Sequence, residues 1–354
     1  MKYSRDVIDS HYHIHTLYGG KDGEFWRNME EYQSSRGFRA VNLAAMPLVD
    51  YDASQNMISA LYKMKHPGTY AHGGLTYDTY PVPDKMPEGM DFLTQYKELM
   101  EIGFDGIKVL ETKTAELKIM DRPICDEVYE EFFAAAERDQ THFIWHVADP
   151  ETNWDREKIL PEFIEAGWFY GDGTYPTQEE IFRQVYAVLD RHPKLNVTFA
   201  HFFFRSHFPE QLEAMFEKYP NVNVDLTPGR EMYEAFGERR TYFRDFFTRY
   251  ADRIEYGTDA HDVKPLEYNY MRSDIVYRFV TTDEVLEGWD YRFQGLKLDN
   301  DAADKILCGN FVRRVSEVPK PINKAALKAY IAKYRHLIRD EELRKRIDEE
   351  AARL

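Results

Sequence analysis

Cysteine is almost missing from this chain, with two residues in 354. That excludes a disulfide framework and a Cys-rich zinc module. Positive charge is short: 46 Lys+Arg face 62 Asp+Glu, for a net −16. Nucleic-acid affinity rests on phosphate neutralisation by Lys and Arg, so no nucleic-acid partner is expected. No apolar run approaches the roughly 20 residues of a membrane span, so no membrane partner is expected either. The start, Met1-Lys2-Tyr3-Ser4-Arg5-Asp6, runs into Val7-Ile8-Asp9 without an apolar leader, and a cytoplasmic location is expected. Internal repeats, low-complexity segments and a glycine-rich phosphate fingerprint are also missing.

What is present is a folding composition, 43% apolar and 31% charged. The length suits two ordinary domains or one large α/β barrel. Aromatics reach 15%, enough for lined pockets as well as core. Twelve His stand against two Cys, so a bound metal would take His and carboxylate ligands.

Short β-branched runs alternate with helical stretches along the chain. Strands are predicted near residues 7–9, 39–44, 69–75, 106–110, 143–146, 196–201, 222–226 and 253–256. Helical patterns fall between them, and the last unit ends over 302–315. Strands alternating with helices imply right-handed crossovers and a parallel sheet. Eight units in about 315 residues fit an α/β fold of the (β/α)8 TIM-barrel type. A doubly wound open sheet is the alternative. Residues 1–318 are read as the barrel domain. Pro319-Lys320-Pro321 precedes a helical extension over 319–354, packed on the barrel or at a subunit interface. From Pro321 on it carries nine Lys/Arg and six Asp/Glu, so the acid excess belongs to the body.

Histidines and one aspartate gather at predicted strand ends. Asp9-Ser10-His11-Tyr12-His13 ends the first strand, and alternation puts His11 and His13 on one face. His146 ends the fifth strand and His201 the sixth. Asp259 follows the eighth in Tyr256-Gly257-Thr258-Asp259-Ala260-His261. Barrel enzymes draw their catalytic residues from the C-terminal ends of several strands. His-x-His alone is weak; the set of five, drawn from four strand ends, points to a divalent metal.

These residues resemble the amidohydrolase superfamily, within it the amidohydrolase-related family 2. The matching stretches are Ile8-Asp9-Ser10-His11-Tyr12-His13, Ile144-Trp145-His146, Thr198-Phe199-Ala200-His201, Gly257-Thr258-Asp259 and Ile306 to Arg314. The resemblance covers about residues 5 to 315. It implies that His11, His13, His146 and Asp259 hold one divalent metal, zinc by expectation, with manganese or another divalent ion as alternatives. His201 would be a further ligand or the group that polarises substrate. Asp259 and His201 would be the catalytic pair. A homo-oligomer is also implied. Two departures stand out: Ala260-His261-Asp262 replaces a small-residue–Pro step, and His15 extends the first motif. Lys108, in the fourth strand, could bridge two metals if carboxylated, but a substrate-carboxylate or structural role is favoured. Glu111, just beyond it, is a further candidate.

Substrate contacts are expected from Lys108, Arg205, Arg230, Tyr170 and His261. Arg is the usual fork for a carboxylate. Tyr170 lies in the aromatic 147–176 loop after the fifth strand, where a lid or substrate wall belongs. The function read from this is a metal-dependent hydrolase using a metal-activated water on a small organic molecule of lactone, ester or amide type. The alternative is a nonoxidative decarboxylase or hydratase, a lyase of an aromatic or unsaturated carboxylic acid. A barrel that binds metal only structurally is a third reading.

Overall fold

The computed structural model describes residues 2–15, 17, 24–50 and 52–354. The β-branched runs form β1 (Ile8–His13), β2 (Ala40–Ala44), β3 (Tyr70–Gly73), β4 (Gly106–Thr112), β5 (His142–Val147), β6 (Asn196–Phe199), β7 (Val222–Asp225) and β8 (Ile254–Glu255). Each is buried at every residue, as strands covered on both faces must be. Neighbours in sequence are parallel neighbours in the sheet. A two-residue strand, β9 (Ala260–His261), follows β8 and pairs in parallel with β1. Ser10 N–H donates to Tyr256 O at 3.1 Å and Asp259 N–H to His11 O at 2.8 Å. The first and last staves are thereby joined, and the fold is the α/β TIM barrel that the alternation predicts.

The barrel's closing helices carry the Ile306–Arg314 motif. Asn310 Nδ2 donates to Ala251 O at 2.6 Å and to Ile254 O at 2.7 Å, clamping the entry to β8. Alternation does not predict the antiparallel hairpin β10 (Val285–Gly288) and β11 (Tyr291–Gln294). Its two turn residues, Trp289 and Asp290, have φ of 53° and 59°, the sign that a tight type I′ turn requires. Trp289 stacks on Tyr233 at 5.4 Å and Phe293 lies 4.9 Å from the same ring, so the hairpin braces the Arg230–Glu238 helix.

The C-terminal segment is tied to the body by specific bonds. Lys320 N–H donates to Asp105 Oδ1 and Asn323 N–H to Ile102 O, each at 2.8 Å. Asp105 is itself buried against Lys63 at 2.5 Å. Lys333 and Tyr334 both bond Glu98, at 2.6 and 2.7 Å. Among the described residues, no helix is long and apolar enough to cross a membrane.

A buried polar chain crosses the barrel interior on the N-terminal side of the strand ends. Asn42 Nδ2 donates to Ser10 O, which leaves its Oδ1 to accept from His72 Nδ1 at 2.7 Å. His72 Nε2 meets His142 Nδ1 at 2.9 Å, and His142 Nε2 meets Thr198 Oγ1 at 2.9 Å. Thr198 Oγ1 lies 2.9 Å from Glu255 Oε1. Gly106 on β4 gives this chain its room, because a Cβ there would strike the His72 ring and His142 O.

Candidate metal centre and active site

The first strand aims two imidazoles into the mouth. Its pairing with β2 shifts register between Asp9 and Tyr12. Simple alternation would put Asp9 beside His11 and His13. Across that shift the Asp9 carboxylate instead accepts from Tyr32 at 2.9 Å and Thr258 at 2.6 Å. His11 and His13 remain together, with ring centroids 4.9 Å apart.

Each imidazole is held by its outer nitrogen. His11 Nδ1 donates to Asp225 Oδ2 at 2.8 Å, and His13 Nδ1 to Ala44 O at 2.7 Å. Both Nε2 atoms are thus left with a lone pair facing the site, the arrangement that presents histidine to a metal. Burial first, then the nearby Lys108 charge, hold His11 well below its ordinary value, so it is neutral. His13 Nε2 lies 2.9 Å from Asp259 Oδ1. Among the described residues, ligand atoms of His11, His13 and Asp259 lie within 4.8 Å of one another. Asp259 is the more open of the three, 23% exposed at its side chain against 2% for His13. Gly257 allows this closeness: a Cβ there would come within 2.8 Å of Thr227 Oγ1 and 3.1 Å of His11 Cβ.

His146 and His201 form the other half of the mouth, with rings 4.9 Å apart. His146 lies outside the close trio: its Nε2 donates to Ala148 O at 2.9 Å. The His201 ring is 6.2 Å from that of His11. Burial pushes both below the ordinary histidine value. His201 Nδ1 meets Thr227 O at 3.2 Å, and its backbone N–H donates to Asp225 Oδ1 at 2.9 Å. Asp225, the last residue of β7, therefore anchors two histidines at once.

Strained backbone clusters here. His201, Phe202, Phe203 and Phe204 have φ of 54°, 53°, 57° and 47°, a left-handed turn without glycine. Ala148 and Asp259 are also left-handed, at 60° and 53°. Such a turn costs about 1–2 kcal/mol per residue. Burial of Phe202 and Phe203 offsets it at about 1.5–3 kcal/mol each, and the bond to Asp225 adds about 1.5–3 kcal/mol. Phe202 packs on Phe236, Phe243 and Phe247, and Phe203 on Phe182 and Phe199.

Lys108 reaches the same space from β4. Its Nζ lies 2.9 Å from His11 Nε2. Burial pushes its ammonium down to about 8, against the pull of Asp225, Asp259 and Glu111. Glu111 faces away, accepting from Tyr77 at 2.9 Å. His261 Nε2 is 3.7 Å from Asp259 Oδ1, and His261 Nδ1 is 2.9 Å from His15 Nε2. Tyr170 is buried between Trp154 and Tyr175. The 147–176 loop around it holds a short helix, Pro161–Glu165. Arg205 lies over Phe182 at 3.7 Å and donates to Gln178 at 3.0 Å. Arg230 donates to Glu234 at 2.8 Å.

Sequence reasoning names neither Asp225 nor Arg272. The Asp225 signal is alternation: with Asn223 it occupies every second position up to the end of β7. Arg272 comes from the Leu266–Thr281 helix and donates to Thr258 O at 2.6 Å, Pro228 O at 3.2 Å and Asp259 Oδ2 at 3.1 Å. Burial works against the Asp259 charge, but His13, Arg272 and His261 hold its carboxyl well below the usual range.

A family model described as amidohydrolase matches residues 81–313. The chain belongs to the amidohydrolase family. The matched span contains His146, His201 and Asp259, while His11 and His13 precede it. A search of curated proteins finds no match. Among solved structures, this amidohydrolase is similar in fold to an uncharacterized TIM-barrel protein of Bordetella bronchiseptica, at 14% identity, TM-score 0.51, over 87% of this chain and 98% of that one. A probable 2-pyrone-4,6-dicarboxylic acid hydrolase of Acinetobacter baumannii, with citric acid bound, matches at 9% identity and TM-score 0.51, over 88% and 99%. The IDCase of Metarhizium anisopliae matches at 12% identity and TM-score 0.52, over 88% and 97%.

Proposed function

We propose that this amidohydrolase is a metal-dependent hydrolase of a small organic substrate with a carbonyl centre, a lactone, ester or amide. The observation that carries the reading is the close trio of His11, His13 and Asp259, with both outer imidazole nitrogens anchored away from the site. This donor set fits a divalent metal, zinc in this proposal, with His146 and His201 completing or flanking it. Bound there, the metal would lower the pKa of a water toward 7 and polarise the carbonyl.

The chain's own residues supply the rest. Asp259, anionic and open on one side, takes the proton of the attacking water. His201, held by Asp225 and Thr227, steadies negative charge growing on the carbonyl oxygen. Lys108 offers an ammonium to an anionic substrate group, with His261 along the wall, Arg205 and Arg230 further out on the βα loops, and Tyr170 packed behind as support.

The test is a panel of lactones, esters, amides and aromatic carboxylates, scored for acid release and for CO₂ release. Acid release that stops on chelation and returns with added zinc is the expected result. CO₂ release without acid release would overturn the hydrolase reading and make the enzyme a lyase.

A further inference from the structure

His15 and His261, the two histidines that depart from the family pattern, meet beside the trio of His11, His13 and Asp259. Alternation continues past the end of β1, so His15 stays on the face of His11 and His13. Its ring is 6.2 Å from that of His13. His261 is the register partner of His13 across the β1–β9 pairing, with rings 4.9 Å apart. One hydrogen bond joins the pair, His15 Nε2 to His261 Nδ1 at 2.9 Å. Their backbones are held as well. Asp262 Oδ1 accepts from the His15 amide at 2.9 Å. Asn269 accepts from the His261 N–H at 3.1 Å and donates to the His261 carbonyl at 2.7 Å.

The direction of the bond between the rings follows from Gln55, buried near the start of the Ser54–Lys65 helix. Its Oε1 accepts from the Met46 N–H at 2.7 Å, a group that can only donate. The amide is thereby fixed with its Nε2 toward His15 Nδ1, at 3.2 Å. His15 Nδ1 accepts, so its proton is on Nε2 and is donated to His261 Nδ1. His261 Nδ1 accepts in turn, so its own proton is on Nε2. A second proton on either ring would set two donors face to face, so both rings are neutral. The relay ends on one N–H, that of His261 Nε2, 3.7 Å from Asp259 Oδ1. This is beyond hydrogen-bond reach of the carboxylate, and 22% of the His261 side chain is exposed. A donor preset in this way suits an oxygen that arrives with the substrate.

We propose that His261 Nε2–H binds an acceptor oxygen of the substrate, a carbonyl or carboxylate oxygen, and that His15 and Gln55 are positioning residues that set this tautomer. The proposal deepens the substrate contact given to His261 above. It rests on the reading of this mouth as the substrate site and holds for hydrolysis and decarboxylation alike. The same tautomer keeps His261 out of the metal's ligand set, since its Nε2 is protonated and its Nδ1 lone pair is taken by His15. A substrate bringing an N–H to this point would meet a donor and be rejected.

The experiment uses zinc-loaded protein, isotope-labelled at the histidine nitrogens, in NMR spectra with acetate as the probe. Wild type should show His261 with its proton on Nε2 and a bare Nδ1, and acetate should shift the Nε2 signal. His261→Phe should keep its zinc and bind acetate about 10–100-fold more weakly, the loss of one bond to a charged group. His261→Gln should recover part of that. His15→Phe should let a second His261 tautomer appear, protonated on Nδ1. His15→Gln, which can accept from Gln55 and donate to His261, should keep the single tautomer. A bare or zinc-bound Nε2 in wild type, unchanged acetate affinity in His261→Phe, or an unaltered tautomer in His15→Phe would overturn the proposal. Should wild type take up no zinc, the metal reading fails, and the His261 tautomer of the metal-free protein still decides this one.

Discussion

Asp225 does two jobs with one side chain. It fixes the tautomer of His11 through Oδ2 and bonds the His201 amide through Oδ1. A carboxylate behind a ligating histidine both orients the ring and raises its basicity, and losing it costs typically 10–100-fold in metal affinity. Asp225→Asn should weaken zinc binding by about that factor while leaving the circular dichroism spectrum unchanged, read by competition with a chromophoric chelator. Unchanged affinity would mean that Asp225 serves the backbone turn alone. At this scale the sequence is legible where chemistry shows in spacing. His11 and His13 are apparent as an alternating pair, and Asp259 as a residue after the last strand. Asp225 hides in a strand run that reads as core. Arg272 hides in a helix, because its reach to Asp259 depends on how that helix lies against the barrel. His72 and His142, whose spacing signals no chemistry, are buried links in one chain.

At the scale of elements, the buried chain from Asn42 to Glu255 has a polarity that can be worked out. Asn42 Oδ1 must accept, so each group in turn donates toward it, through His72, His142 and Thr198. With both histidines neutral, the chain closes only if Glu255 carries a proton. Burial pushes His142 down to about 3 and lifts Glu255 to about 7, which puts the proton on Glu255 below neutral pH. A carboxyl raised in this way contributes stability that is complete below its ordinary 4.5 and is lost as pH rises through about 7. Above that pH Glu255 is charged, with Arg314 at 3.8 Å. Glu255→Gln keeps a donor toward Thr198 and does not titrate. Its urea midpoint should fall less than that of wild type between pH 5 and 8. An unchanged slope would place the proton elsewhere. The eight barrel strands themselves are readable from sequence, since short runs with β-branched or aromatic residues alternate with helical stretches. The β10–β11 hairpin is not: its alternation is short, and its turn, Gly288-Trp289-Asp290-Tyr291, lacks the Asn-Gly or Asp-Gly pair that marks such turns.

For the whole molecule, six of the eleven left-handed non-glycine residues among the described residues gather at one end of the barrel. The left-handed residues at 148, 201–204 and 259 all follow strand C-termini, where backbone cost is tolerated because the aromatic packing behind it is dense. The central claim is that His11, His13 and Asp259 assemble to hold one divalent metal. Elemental analysis of the purified protein, beside His11→Ala with unchanged circular dichroism, tests it most directly. The account predicts close to one divalent ion per chain in the wild type and loss of that ion in the variant. No bound metal in the wild type, or full retention in His11→Ala, would contradict it.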